Sequence, residues 1–162
     1  GYAENVYGEL EESEYKNFDF TMFWQGVQGV DIISDLKKQT DIWAGLNIGF
    51  LNKGQRLLNA WSTTNPDSNI PALSLSDNNN EKRVSTYWVE NGSYLKLRTI
   101  QLGYNLPKSM TNRLAMQRLR FYLSAQNLLS IHSKSFTGVD PENPNYGYPI
   151  PLNITFGINV TF

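Results

Sequence analysis

Apolar and polar residues alternate without a break along the last stretch of the chain. The even positions from Leu152 to Phe162 are all apolar, and the odd positions between them carry Asn, Thr or Gly. An alternation with a period of two places every apolar side chain on one face of a β-strand. Strands of soluble proteins are usually about 5 or 6 residues long, whereas a tilted strand needs about 9 to 11 residues to cross a bilayer. The length of this segment therefore favours a strand that spans a membrane.

Three further segments, near residues 18–26, 93–106 and 117–129, show a weaker alternation of the same kind. Between residues 93 and 106 the alternation changes phase near Arg98 and Thr99, which predicts a β-bulge at that point. Lys16–Asn17 would form a tight turn from a preceding strand that ends near Tyr15. The sequence therefore predicts five strands, over residues 8–15, 18–26, 93–106, 117–129 and 152–162.

The connections between these strands alternate between short and long. Lys16–Asn17 and residues 107–117 are the short connections, and residues 27–92 and 130–151 are the long ones. Outer-membrane barrels have short periplasmic turns and long extracellular loops. The pattern predicts an all-β fold, in which antiparallel strands form the C-terminal end of a large transmembrane β-barrel. Two short helices are expected in the first long loop, over residues 31–44 and 54–61.

Composition narrows the range of functions. The net charge is −1, so no strong positive field favours nucleic acid as a partner. The chain has no cysteine, and its single histidine, His132, gives little basis for a zinc site or a catalytic triad. Asp140 and Glu142 lie in a segment rich in Pro and Asn, where turn formation is the ordinary role of an acidic residue. We therefore expect no catalytic residue, no metal and no cofactor, and we do not expect an enzyme.

Basic residues alternate with apolar ones in two of the predicted strands. Alternation would direct these side chains into the lumen of a barrel, where water and polar partners are available. The residues concerned are Lys96, Arg98, Arg118 and Arg120.

Several short motifs follow one another along nearly the whole chain. They are Tyr15-Lys16-Asn17-Phe18-Asp19-Phe20, Trp24-Gln25-Gly26-Val27, Trp61-Ser62-Thr63-Thr64-Asn65-Pro66, Asn91-Gly92-Ser93-Tyr94-Leu95-Lys96-Leu97-Arg98, Leu102-Gly103-Tyr104-Asn105-Leu106-Pro107, Leu119-Arg120-Phe121-Tyr122-Leu123-Ser124-Ala125-Gln126-Asn127-Leu128-Leu129, Tyr148-Pro149 and Phe156-Gly157-Ile158-Asn159-Val160-Thr161-Phe162. In content and order they resemble the motifs of SusC/RagA-type TonB-linked (TonB-dependent) outer-membrane receptors.

This resemblance implies a location in the cell outer membrane and a role in nutrient import. Members of the family form a barrel of about 22 strands around an N-terminal plug, and this sequence contains neither the plug nor the remaining strands. The family imports oligosaccharides or peptides, works with a surface lipoprotein of the SusD type and draws energy through the TonB system. An alternative is a soluble all-β module that binds glycans. It is favoured by the acidic residues that crowd both faces of the first strand, Glu9, Glu11, Glu12 and Glu14.

Two sets of residues are candidates for function. The first set consists of aromatic side chains in or beside the long loops, which are expected to contact the ligand or the lipoprotein partner, or alternatively to hold the loops together. Its members are Trp43, Trp61, Trp88, Tyr146 and Tyr148. The second set resembles the β-signal that the barrel-assembly machinery reads in a terminal strand, and comprises Thr155, Gly157, Val160 and Phe162.

Overall fold

The computed structural model describes residues 5–34, 36–37, 55–74, 80, 83–144 and 147–162. The chain divides into two compact units. We call them the sheet unit, which comprises residues 2–30, 92–133 and 149–162, and the loop unit, which comprises residues 31–91 and 134–148 together with Gly1.

The sheet unit is a single antiparallel sheet of five strands. Its strands are β1 (Asn5–Tyr15), β2 (Phe18–Gln28), β5 (Tyr94–Asn105), β6 (Arg118–His132) and β7 (Asn153–Thr161), and they lie side by side in that order. Each neighbouring pair of strands is antiparallel. All five predicted strands are present, and β1 begins three residues earlier than expected while β6 continues three residues further. Within the described residues, β1 and β7 form the two edges of the sheet.

Short connections join the strands at one end of the sheet. Lys16 and Asn17 link β1 to β2, and Lys16 adopts a positive φ of 55°, as tight two-residue turns between antiparallel strands often require. A helical turn over Lys108–Thr111 and a 3-10 turn over Asn112–Leu114 link β5 to β6. Both connections agree with the short turns expected from the sequence.

The predicted β-bulge is confirmed in β5. Thr99 pairs with Phe23 of β2, whereas Leu97 pairs with the very next residue, Trp24, so that Arg98 is the extra residue. The bulge restores the apolar face, because Leu95 and Leu97 now lie in rows with the outward residues of β2. The phase change in the sequence therefore marks a change of backbone pairing, and the sheet continues through it.

The loop unit contains a two-stranded ladder, formed by β3 (Asp31–Ile33) and β4 (Val89–Asn91). The helix predicted from residue 31 is therefore wrong at its start, because the backbone of residues 31–33 pairs with a segment distant in sequence. Ser34 follows β3, and its Oγ accepts the backbone N–H of Lys37 at 3.1 Å, an arrangement typical of a helix N-cap. The rest of the predicted helix, residues 38–44, lies outside the described residues.

The other predicted helix, over residues 54–61, is present as a 3-10 helix at Gln55–Asn59. A further 3-10 turn at Thr86–Trp88 leads into β4. Among the residues that the structure describes, no helix is long and apolar enough to cross a membrane.

Candidate functional site

The sheet has one apolar face, made of rows of apolar side chains that run mainly across β2, β5, β6 and β7. Leu102 of β5 pairs with Phe20 on one side and Leu123 on the other, and Leu123 pairs with Phe156. Leu102, Leu123 and Phe156 are 47%, 51% and 66% exposed, so nothing in the described part of the sheet unit covers them. An apolar surface of this extent on a folded protein indicates contact with a partner or a lipid phase.

An aromatic row crosses the apolar face near the short turns. Register places Tyr15, Phe18, Tyr104 and Phe121 side by side on four neighbouring strands. The rings of Phe18 and Tyr104 are 4.7 Å apart between centroids. Outer-membrane barrels carry such aromatic girdles where the apolar band meets the polar interface. The row therefore marks the level of the periplasmic interface on this sheet.

The opposite face is polar and is organised by hydrogen bonds between strands. Arg120 of β6 reaches across β5 to form an ion pair with Asp19 of β2, in which Nε and Nη2 of Arg120 each donate to one of the two carboxylate oxygens. Asn105 donates to the same carboxylate at 3.2 Å. Arg118 donates two hydrogen bonds to Asn105 Oδ1, at 3.1 and 2.9 Å. These residues form one network that joins three strands near the short turns.

The remaining basic residues expected in the lumen also lie on or beside the polar face. Arg98 Nε donates to Gln25 Oε1 at 2.8 Å, and Lys96 pairs in register with Gln25 and Ser130. Lys96 is only 4% exposed, and its Nζ lies 5.1 Å from the centre of the Tyr94 ring. Sequence alternation located these cations correctly, but it could not identify their partners, because those partners lie on other strands.

Two glycines make the polar face possible. A Cβ on Gly103 would collide with both Asp19 and Arg120, so the ion pair needs a residue without a side chain between its partners. A Cβ on Gly157 would collide with the ring of Tyr122, which lies directly across from it in register. Gly157 is the glycine of the predicted assembly signal, and here it forms the recess that accepts an aromatic ring.

The glutamates of β1 divide between the two faces, as expected. Glu12 and Glu14 lie on the polar face, where Glu14 pairs with Asp19. Glu9 and Glu11 lie on the apolar face opposite Trp24 and Met22. The acidic residues do not prevent β1 from forming, since all eleven of its residues pair with β2.

The loop unit is held together by a buried polar cluster that sequence analysis did not identify. Glu90 is 5% exposed, and its carboxylate accepts hydrogen bonds from the backbone N–H and the hydroxyl of Thr137, at 3.0 and 2.8 Å. Lys37 Nζ lies 3.9 Å from Glu90, and Ser34 Oγ lies 3.2 Å from Thr137 Oγ1. The cluster joins the two long loops. Glu90 gives no signal in the sequence, because it occupies the middle of a three-residue strand.

The predicted contact residues differ in their accessibility. Trp61 is 44% exposed and Tyr148 is 99% exposed, so both rings are accessible. Trp88 is only 1% exposed, and its Nε1 donates to the Arg83 carbonyl at 2.9 Å. Burial leaves this indole no free face, so Trp88 packs the loop unit, in agreement with the alternative role considered for this set. Trp43 and Tyr146 lie outside the described residues.

Other residues considered from the sequence have ordinary structural positions. Asp140 accepts the backbone N–H of Glu142 at 2.9 Å and its carbonyl accepts the N–H of Asn143, which is the turn predicted for this segment. His132 is the last residue of β6 and is exposed, whereas it was expected in a loop. Among the described residues, no group of three or more potential metal ligands occurs.

Comparison with known proteins identifies relatives among receptors and importers. No protein-family profile matches the sequence. The chain is 33% identical over 91% of its length to TonB-dependent receptor P3 of Formosa agariphila, and it spans 15% of that receptor. It is 30% identical over 97% of its length to TonB-dependent receptor P26 of the same organism, and it spans 17% of that receptor.

Solved structures agree with these relatives. A chain of the RagAB peptide importer in its closed-closed state superposes with a TM-score of 0.78 at 28% identity, and the match covers 97% of this chain and 17% of that one. The open-open state of the same importer matches with a TM-score of 0.73 over 91% of this chain and 16% of that one. The apolar face, the aromatic row and the polar face of the sheet thus have the surroundings of a barrel wall, with lipid on one side and a lumen on the other. The chain belongs to the TonB-dependent receptor family, of the RagA type, and forms part of the β-barrel of an outer-membrane protein.

Proposed function

We propose that this chain serves a nutrient importer of the outer membrane, as five neighbouring strands of its barrel wall together with two of its long loops. The complete receptor takes up peptides or oligosaccharides with energy supplied through TonB. The observation that carries this proposal is the two-faced sheet, in a chain that matches the RagAB peptide importer over 97% of its own 162 residues. That likeness makes peptides the first ligand class to test. The family relationship gives no support to the alternative of a soluble glycan-binding module.

The loop unit supplies the contacts outside the membrane in this proposal. Trp61 and Tyr148 present exposed rings, which can stack on sugars or pack against a polypeptide. We assign Trp61 and Tyr148, together with Trp43 and Tyr146, to contacts with the ligand or with a SusD-type surface lipoprotein. The buried Glu90 cluster supports this assignment, because it holds the loops in one arrangement without using the exposed rings.

Uptake by the full-length receptor in its native cells tests the proposal. Cells with the receptor gene, without it, or without TonB would be given fluorescent peptides or labelled oligosaccharides, and accumulation of label would be measured. We expect one ligand class to accumulate only when both the receptor and TonB are present. Uptake that is unchanged by loss of the receptor for both ligand classes would overturn the proposed function.

Replacement of Trp61 or Tyr148 by Ala tests the assigned contacts in the same assay. We expect a higher ligand concentration at half-maximal uptake, or less lipoprotein co-purified with the receptor. The amount of receptor in the membrane should not change. Leu58 is a suitable control, because it is 84% exposed in the same loop and carries no ring. Equal effects of Leu58→Ala and Trp61→Ala would count against a specific role for the ring.

The terminal strand has a separate proposed role in assembly. We propose that Thr155, Gly157, Val160 and Phe162 form the signal read by the barrel-assembly machinery. In support, β7 lies at an edge of the sheet with its side chains largely exposed, and an exposed strand edge is a template for pairing with another chain. Val160 and Phe162 present apolar groups on the same face, 42% and 78% exposed.

A further inference from the structure

A groove crosses the apolar face near the extracellular end of the sheet. It has a volume of about 370 Å³. Its floor is Gly26 of β2. Its walls include Tyr7 of β1, Leu95 of β5 and Ile131 of β6, which lie in the same register row as Gly26. The missing side chain at Gly26 creates the recess. A Cβ there would lie 3.1 Å from Leu95 Cδ1 and would begin to fill it.

The upper rim of the groove is polar. Gln28 and Ser93 line it beyond the row of Gly26, at the end of the sheet away from the short turns. Tyr7 adds its hydroxyl, which donates to Gln28 Oε1 at 3.3 Å. None of the residues that line the groove carries a fixed charge. The groove thus changes from apolar to polar along the direction that leads out of the membrane.

The depth of the groove follows from the aromatic row. Gly26 lies eight residues beyond Phe18 on β2. At about 3.3 Å per residue and a strand tilt of about 40°, this separation corresponds to roughly 20 Å along the membrane normal. The apolar band of an outer-membrane barrel is about 25 Å tall. With the aromatic row at the periplasmic interface, the groove lies in the outer leaflet, just below its polar boundary.

We propose that this groove holds one acyl chain of a phospholipid as an ordered ligand. The lower part accepts methylene groups between Tyr7, Leu95 and Ile131, and the polar rim meets the glycerol or headgroup region. A lipid is the fitting occupant because the groove is continuous with the surface that the barrel already presents to the bilayer. Its chemistry also changes from apolar to polar at the depth where a lipid changes. The proposal does not depend on which nutrient the receptor imports.

Native mass spectrometry of the full-length receptor tests this site. Receptor purified in a mild detergent would be titrated with 1-palmitoyl-2-oleoyl phosphatidylethanolamine, and the dissociation constant of the tightest lipid adduct would be measured. Ile131→Trp should fill the groove. Loss of contact with two methylene groups predicts about tenfold weaker retention of that lipid. Gly26→Ala, which raises the floor by one methyl group, should weaken retention in the same direction and by less.

Leu123→Trp is the matched control. Leu123 and Ile131 lie on the same strand and the same face, and both are 51% exposed. We expect Leu123→Trp to retain the lipid as the unchanged receptor does, and the soluble headgroup glycerophosphoethanolamine not to compete. Equal lipid retention by all three variants, or equal loss from Ile131→Trp and Leu123→Trp, would overturn the proposal. Occupation of the groove by a co-purifying polypeptide in place of lipid would overturn it as well.

Discussion

Single residues on the polar face derive their roles from partners that are distant in the chain. Asp19 and Arg120 lie 101 positions apart and meet across Gly103, which lacks a side chain. The sequence predicted that Arg120 points into the lumen, because alternation fixes the face of a strand residue. It could not predict the partner, because register between strands is set by the whole sheet. Strand faces are therefore easier to predict than the contacts made on them.

The Asp19–Arg120 pair should contribute measurably to stability. Its side chains are 19% and 14% exposed, and a hydrogen bond to a charged group contributes about 1.5–3 kcal/mol. We expect Asp19→Ala and Arg120→Ala each to destabilise the full-length receptor by an amount in that range, and the double variant to lose less than the sum. Urea-dependent refolding into vesicles would measure these changes.

Arg118→Ala provides the control for this prediction. Arg118 also donates two hydrogen bonds, but it is exposed and its acceptor is the neutral Asn105. Its loss should cost less than about 1 kcal/mol. Additive effects of Asp19→Ala and Arg120→Ala would show that the two side chains do not act as a pair.

Gly157 and Tyr122 form a second pair that can be tested at this scale. Gly157→Ala places a methyl group where the Tyr122 ring lies, and crowding in a well-packed site typically costs about 1–3 kcal/mol. Tyr122→Ala removes the ring, so adding Gly157→Ala to that variant should cost little. Refolding into vesicles would measure the interaction free energy between the two substitutions. If Gly157→Ala destabilises the Tyr122→Ala variant as much as it destabilises the unchanged receptor, then the glycine does not serve to accommodate the Tyr122 ring.

Strands with alternating apolar and polar residues were predicted well from the sequence. Strand residues that depend on pairing with a distant segment were predicted less well. Alternation is unbroken in the last strand and weaker in β2, β5 and β6, and the bulge at Arg98 appears in the sequence as a phase change. β6 continues to His132 because it pairs with the start of β5, which its own polar sequence does not indicate. Residues 31–33 form a strand for a similar reason, since Val89–Asn91 supply their backbone partners. The groove at Gly26 also needs three neighbouring strands to exist.

Adjacent residues of β7 lie on different faces, so a charge should destabilise the receptor at one position and have little effect at the next. Ile154 lies on the apolar face in the row of Ala125, Ile100 and Met22, four residues from the aromatic row. That distance places it near the middle of the apolar band. Ile154→Arg should therefore destabilise the full-length receptor by about 2–4 kcal/mol, whereas Thr155→Arg faces the lumen and should have little effect. The free energy of refolding into vesicles is the measurement.

Depth provides a further check on β7. Ile158 pairs with Phe121 in the aromatic row, so an arginine there can reach the interface. Ile158→Arg should cost only about 0–1 kcal/mol. Equal losses from Ile154→Arg and Thr155→Arg would refute the assignment of faces, and equal losses from Ile154→Arg and Ile158→Arg would refute the assigned depth.

At the scale of the whole molecule, the sheet is a part that requires neighbours. Within the described residues, β1 and β7 each pair on one side only, and the apolar face has no cover. Five strands are fewer than the eight of the smallest outer-membrane barrels, so these strands do not close a barrel by themselves. This chain spans 15% and 17% of the length of the two relatives. Stability measured on the full-length receptor is therefore the meaningful quantity.

Phe162 has a proposed role in assembly of the complete receptor. The ring is 78% exposed, so Phe162→Ala should cost less than the about 3–5 kcal/mol of a buried phenylalanine. If the assembly machinery reads this ring, loss of inserted receptor should far exceed the loss that this energy predicts. The amount of receptor in the outer membrane and the uptake per inserted molecule would both be measured, and we expect the first to fall sharply and the second to stay constant. Phe156→Ala is the control, since Phe156 is 66% exposed on the same face but lies outside the signal. Normal insertion of Phe162→Ala with reduced uptake per molecule would show that the ring serves transport.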